Sequence, residues 1–150
     1  MGIVFKESRN SEVKEETIFE IIHNMDKVTN NLIIEWNKIF SEDLGISHIL
    51  ILAHLHVNGK SRPTDMAKTL GLTPPTVTHL SEKLVKKKFV DRSPDELDRR
   101  IIYLEITDNG KKTLQQANQA GLHLRKNLFN KLTEEEKQQL LHIYRKLNQS

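Results

Sequence analysis

The sequence predicts a mainly α-helical fold with one small β-hairpin. Apolar residues recur at i, i+3 and i+4 over most of the chain, the signature of one-sided helices. Aromatic residues make up only 5% of the 150 residues, with six Gly and four Pro, too few for a turn-dense, many-stranded fold. The period drops to two in just two short segments late in the chain. The length suits one compact domain, or one domain with helical arms.

Residues 13–40 read as one long amphipathic helix. Its stripe runs through Ile18, Ile21, Ile22, Met25, Val28, Leu32, Ile33, Trp36, Ile39 and Phe40. Residues 1–12 precede the pattern and are expected to form a disordered tail. Gly45 ends the first helix. Ser47 is the expected N-cap of a shorter helix, 48–57, which is apolar nearly all round and belongs at the centre of a core. Asn58-Gly59 closes it. Pro63 suits a first helical position, Asp65 complements the helix dipole, Met66, Ala67 and Leu70 form an inner face, and Gly71 ends that helix. Thr73 then caps a further helix that begins at Pro74 and carries Val77, Leu80, Leu84 and Val85. Two helices joined by so short a turn make a helix-turn-helix.

Residues 89–93 and 101–107 read as two strands around the polar loop from Pro94 to Arg100, a hairpin with a charged tip. Thr107-Asp108 caps a helix over 108–130 with Leu114, Ala117, Ala120, Leu124 and Leu128 on one face. Thr133 and Glu136 form a capping box before a last helix carrying Leu140, Leu141, Tyr144 and Leu147.

Composition narrows function. The chain has no Cys, which removes disulfides, Cys-ligated metal and thiol chemistry. No apolar run approaches the roughly 20 residues that span a bilayer, and the N-terminus lacks a signal-peptide pattern. A cytoplasmic protein is the expectation. No phosphate-binding glycine loop, zinc-protease pair or nucleophile elbow is present, so no enzymatic activity and no cofactor are expected. His54 and His56 point about 200° apart on a helix and cannot share a metal. Glu20 and His23 have a di-metal spacing that occurs only once, so no metal site is expected.

Charge is unevenly spread. Residues 1–59 carry five Lys/Arg against nine Asp/Glu, residues 60–100 ten against six, and residues 101–150 eight against five. The basic middle coincides with the helix-turn-helix and its hairpin, as a polyanion partner requires. A solvated helix face is the plainer reading of such charge, and its position decides against it.

The organisation is thus a winged helix-turn-helix DNA-binding domain over 46–107, with 13–45 and 108–150 as a helical dimerisation region. The flanking helices carry stripes longer than so small a centre can cover. A two-fold dimer with interlocked arms buries them, and it presents two recognition helices to a palindromic duplex.

The chain resembles the MarR family of dimeric winged-helix transcription regulators over nearly its full length. The resemblance rests on Asp65 to Leu72, Thr73-Pro74-Pro75-Thr76-Val77-Thr78, Leu84, Phe89-Val90, Asp98-Arg99-Arg100, and Leu104 to Gly110. It implies a homodimeric repressor, less often an activator, that binds a palindromic operator and responds to a small anionic or aromatic effector. Two positions depart from the family pattern. His79 stands where many members have Arg, and it cannot make the bidentate Arg–guanine contact. Lys88 stands where many have Gly, so either Lys88 takes a left-handed turn or the turn itself differs.

On this reading Thr73, Pro75, Thr76, Thr78 and His79 lie at the groove end of the recognition helix. Lys83, one turn on, meets a phosphate, and Arg62 meets the DNA backbone. Arg99 enters the minor groove, Asp98 fixes the loop by a salt bridge, and Arg100 either joins Arg99 or pairs internally. For Lys86-Lys87-Lys88 a service to the helix C-terminus is the favoured reading over a contact with DNA, and their role stays open. Trp36, Phe40, His48 and His54 are the effector-site candidates, although core positions are the plainer reading of each. The competing function is a winged-helix protein–protein adaptor without a DNA role, which needs neither the threonine-rich helix start nor the wing arginines.

Overall fold

The computed structural model describes the backbone of residues 2–149 and the side chains of residues 14–149. In chain order the elements are α1 (Gly2–Ile39), α2 (Ile46–Asn58), α3 (Pro63–Leu70), α4 (Pro74–Lys86), β1 (Val90–Pro94), β2 (Ile102–Ile106), α5 (Asp108–Phe129) and α6 (Glu134–Leu147). The chain divides into two units between Glu35 and Trp36.

The first unit is the helical arm of α1. Its helix takes in the backbone of residues 2–12 of the expected tail, whose residue 1 and side chains lie outside those described. Ile18, Phe19, Ile21, Ile22, Met25 and Val28 are all exposed along it.

The second unit holds the core. α2 sits at its centre, as its all-round apolar sequence requires, and packs against α3, α4, α5 and β2. Ile51, Leu52 and Leu55 of α2 meet Met66 and Ala67 of α3, Val77 and Leu84 of α4, Val90, Leu104 and Leu114. Trp36 and Phe40, which follow the arm, close one side with stacked rings 4.6 Å apart. The buried Ser81 hydroxyl donates to the Val77 carbonyl at 2.6 Å, so no buried side-chain polar atom among the described residues lacks a partner.

The start of α2 and the pairing of the hairpin differ from expectation. α2 begins one residue before Ser47, with Gly45 as its N-cap. The Gly45 N–H donates to His48 Nδ1 at 3.0 Å, so a histidine one turn into the helix satisfies the end that a serine was expected to cap. The hairpin also gains a third partner. Ser61, ahead of α3, pairs with Leu104 through Ser61 N–H to Leu104 O at 3.0 Å and Leu104 N–H to Ser61 O at 2.8 Å. This pairing ties the root of the helix-turn-helix to the wing.

β1 and β2 run antiparallel in the register Val90↔Ile106 to Pro94↔Ile102. Lys88, just before β1, has φ 66°, so the left-handed alternative holds at this position. Thr107 locks the base of the hairpin. Its hydroxyl donates to the Lys88 carbonyl at 2.7 Å and accepts from the Gly110 N–H at 3.0 Å, while its own N–H donates to the Phe89 carbonyl at 3.0 Å. Gly110 is required here because a Cβ would strike the Phe89 carbonyl and the Ile106 side chain. The spacing Thr-x-x-Gly is therefore a joint between the wing and α5. Thr133 and Glu136 form the expected capping box of α6.

Candidate nucleic-acid interface

α3 ends at Gly71 in the left-handed conformation, φ 66°, and the Leu72 N–H returns to the Ala67 carbonyl at 2.9 Å. This tight exit lets Thr73 cap α4 after two residues. The Thr73 hydroxyl accepts from the Thr76 N–H at 3.3 Å and lies 2.7 Å from the Thr76 hydroxyl. Thr73 is thus engaged in capping, and the two hydroxyls share one hydrogen bond. Pro75, Thr76, Thr78 and His79 are exposed on the first turns of α4, while Val77 and Ser81 anchor its opposite face in the core. Pro74 and Pro75 have no N–H, and the N–H groups of Thr76 and Val77 are taken by Thr73, so this end of α4 offers the positive end of the helix dipole but no free backbone donor.

Lys83 is held elsewhere than at a free surface. Its ammonium donates to Asp43 Oδ2 at 3.0 Å, across the turn that joins α1 to α2. Lys83, by hydrogen bond first and by charge second, holds the Asp43 carboxyl below its usual range. His48 faces the same cationic neighbourhood. Burial, then the charge of Lys83, pushes its imidazole below the ordinary value, with Asp43 opposing. Lys86 lies in the last turn of α4 and Lys87 at its C-cap, beside the helix carbonyls. Lys60, before α3, sits over the Tyr103 ring at 5.1 Å.

At the wing tip, Arg100 pairs internally. Its Nε and Nη2 donate to Asp98 Oδ1 and Oδ2 at 3.1 and 3.2 Å, and its backbone N–H donates to Asp98 Oδ1 at 3.1 Å. The Asp98 carboxyl is held low by the Arg100 side chain first and its backbone N–H second, with Arg62 contributing charge. Arg99 is exposed and makes no hydrogen bond or ion pair among the described residues. Asp98 and Arg100 shape the loop, and Arg99 is left available.

A cleft of about 390 Å³ opens between the helix-turn-helix and the wing, with Arg62, Thr78, Arg92 and Arg100 among its lining residues. Arg62 and Thr78 were expected near DNA. Arg92 was missed. It pairs in register with Leu104 on β2 and so lies on the inward face of the hairpin. Strand alternation from the buried Val90 marks that face in the sequence.

Trp36 and Phe40 are core residues, 7% and 8% exposed, with their rings stacked on each other. His48 is occupied at the start of α2, and His54 is half-buried further along it. The structure therefore does not gather these four around one cleft among the described cavities. No group of three or more His, Asp or Glu among the described residues is placed to hold a metal ion. No helix among them is long and apolar enough to cross a membrane.

Comparison with known proteins bears on this interface. The MarR family model matches residues 44–102, the stretch from just before α2 to the first residue of β2. The uncharacterized HTH-type transcriptional regulator YpoP of Bacillus subtilis is 27% identical over 91% of this chain and 96% of its own. The HTH-type transcriptional repressor MdtR of Bacillus subtilis is 29% identical over 69% of this chain and 67% of its own. A mutant of MarR from Escherichia coli, solved in complex with operator DNA, superposes with a TM-score of 0.71 at 22% identity, covering 89% of this chain and 96% of that one.

Proposed function

Because this chain belongs to the MarR family of winged helix-turn-helix transcriptional regulators, we propose that it is a homodimeric repressor that binds a palindromic operator in the cytoplasm. The observation that carries this reading is the pairing of two exposed elements in one basic segment. The first turns of α4 offer Thr76, Thr78 and His79, and the wing offers an unengaged Arg99. Short side chains on α4 suit close approach to base edges in the major groove, where a threonine methyl meets a thymine methyl. Arg99 suits the narrow minor groove beside it. Arg62 and Arg92 face the cleft between the two elements, where a phosphate of the intervening backbone would lie. Thr73 acts as the cap that positions Thr76, and Lys83 reaches a phosphate only by leaving Asp43.

The dimer is supported by the apolar side chains that single chains leave in water, on the arm of α1 and on α6. The repressor sign follows the named function of MdtR, and the duplex partner follows that of the MarR complex. A small-molecule effector acts by favouring a dimer whose two α4 helices no longer match grooves about 34 Å apart. Among the effector-site candidates, His48 and His54 are the ones that solvent reaches.

A selection from randomised duplexes, followed by gel shift of the recovered sequence, tests the reading. A two-fold symmetric consensus bound well above random DNA supports it. Binding without sequence preference, or none, contradicts it.

A further inference from the structure

We propose that Leu97, at the tip of the wing, is a specificity-determining wedge for DNA: placed against the floor of the minor groove beside Arg99, it reads how readily the base step there unstacks. The proposal rests on the DNA-binding reading above and extends it to a residue outside the charged set.

A lone exposed leucine is common on protein surfaces. Leu97 differs from the other exposed large hydrophobics among the described residues in its place and its support. The others lie on helices, where a partner helix can cover them, whereas Leu97 stands on the wing and is 98% exposed. The loop that presents it is fixed by its own hydrogen bonds. The Asp95 N–H donates to the Ile101 carbonyl at 2.8 Å, and the Leu97 N–H donates to Asp95 Oδ1 at 2.9 Å. The Ile101 N–H donates to the Asp98 carbonyl at 3.0 Å. A tip already ordered loses little entropy on insertion.

Charge at the tip is arranged to the same end. Asp95 accepts from the Leu97 N–H and from the Tyr103 hydroxyl, and Asp98 is matched by Arg100. Two of the three acids are thus engaged within the wing. Glu96 is exposed and opposes close approach to phosphates, which limits how deep the tip can go. An apolar side chain that enters from the minor groove partly unstacks a base step and bends the duplex. Pyrimidine–purine steps yield most easily, so such a contact discriminates without a hydrogen bond to a base. Arg99 responds to groove potential and Leu97 to stiffness.

The full chain is titrated against a duplex recovered by selection and against copies changed only at the step facing the wing, TA against AA or GC. DNA bending is read by end-to-end energy transfer. Leu97→Ala is expected to lose a roughly tenfold preference for the TA step and to reduce the bend, while the salt dependence stays that of the unsubstituted chain. Leu97→Met, which keeps a long apolar side chain, is expected to retain both. Unchanged preference and bend in Leu97→Ala, with binding weakened by Arg99→Ala, would overturn the wedge and leave the DNA reading standing. An equal loss on every duplex would also overturn it. An unsubstituted chain that binds no duplex would overturn both.

Discussion

Lys88 and Gly110 show how single residues set the geometry of the wing. Lys88 holds a left-handed backbone at φ 66°, where a Cβ costs free energy. Lys88→Gly is expected to stabilise the fold by about 0.5–1 kcal/mol, less than the full left-handed cost because glycine also frees the unfolded chain. Gly110→Ala is expected to act in the opposite sense. The new methyl meets the Phe89 carbonyl, which is backbone and cannot swing aside. A loss of about 1–3 kcal/mol follows. Urea unfolding of the two variants checks both signs. The departure at residue 88 was legible because it stood against a family pattern. The need for Gly110 was legible only as part of that pattern, since its cause is an approach between segments some twenty residues apart.

His48 adds a pH dependence at the same scale. Its Nδ1 accepts a hydrogen bond, so the imidazole must be neutral at that atom. Burial and the charge of Lys83 lower its folded pKa below the ordinary 6.5. The unfolded chain therefore binds this proton more readily than the folded one. The contribution is fully present above pH 6.5 and is lost as pH falls through the folded value. Unfolding free energy measured from pH 8 to pH 5 should decline less in His48→Asn, which keeps an acceptor near the Nδ1 position without titrating. Equal pH slopes would remove His48 from this role. The sequence suggested Ser47 as the cap, because serine is the commoner choice. A histidine reaching back to Gly45 depends on a turn whose path is set by Phe40 and Leu44 in the core.

At the scale of elements, the wing and α4 divide their work between residues that shape and residues that are free. The motif Asp98-Arg99-Arg100 pointed to a charged tip but left the partner of Asp98 open. The structure gives Arg100 as the partner, with its Nε 3.1 Å from Asp98 Oδ1. Arg99→Ala is expected to weaken DNA binding and to lower the slope of log affinity against log salt by about one, with little change in stability. Asp43→Asn is expected to do the reverse. It releases Lys83 from its 3.0 Å ion pair, so binding tightens and the slope rises by about one. Lys83→Ala in the Asp43→Asn background should return the slope to that of the unsubstituted chain. Titrations at several salt concentrations check all three. Helix spans and the wing were readable from periodicity, with ends shifted by one or two residues except at the start of α1, which lies at Gly2 rather than at residue 13. The Asp43–Lys83 pair was not, because it joins residues forty positions apart.

At the scale of the whole molecule, two apolar faces are exposed in the single chain. Ile18, Phe19, Ile21, Ile22, Met25 and Val28 line one arm, and Leu141, Ile143, Tyr144 and Leu147 line α6, all exposed. α6 has no buried residue at all, yet its stripe and capping box are those of a well-formed helix. Helices of this kind gain their stability from packing rather than from propensity. The architecture was legible because uncovered stripes show in a sequence as plainly as covered ones. What covers them was not, since periodicity does not name a partner. Dimerisation and operator binding are coupled on this account, because spacing between two α4 helices is a property of the pair.

The most direct test is the stoichiometry and spacing of the complex. Sedimentation of the chain with a selected palindrome, and with copies whose half-sites are moved apart by half a helical turn, measures both. Two chains per palindromic duplex are expected, with binding largely lost when the half-sites are moved onto opposite faces of the DNA. One chain per duplex, or affinity indifferent to the spacing, would contradict the account.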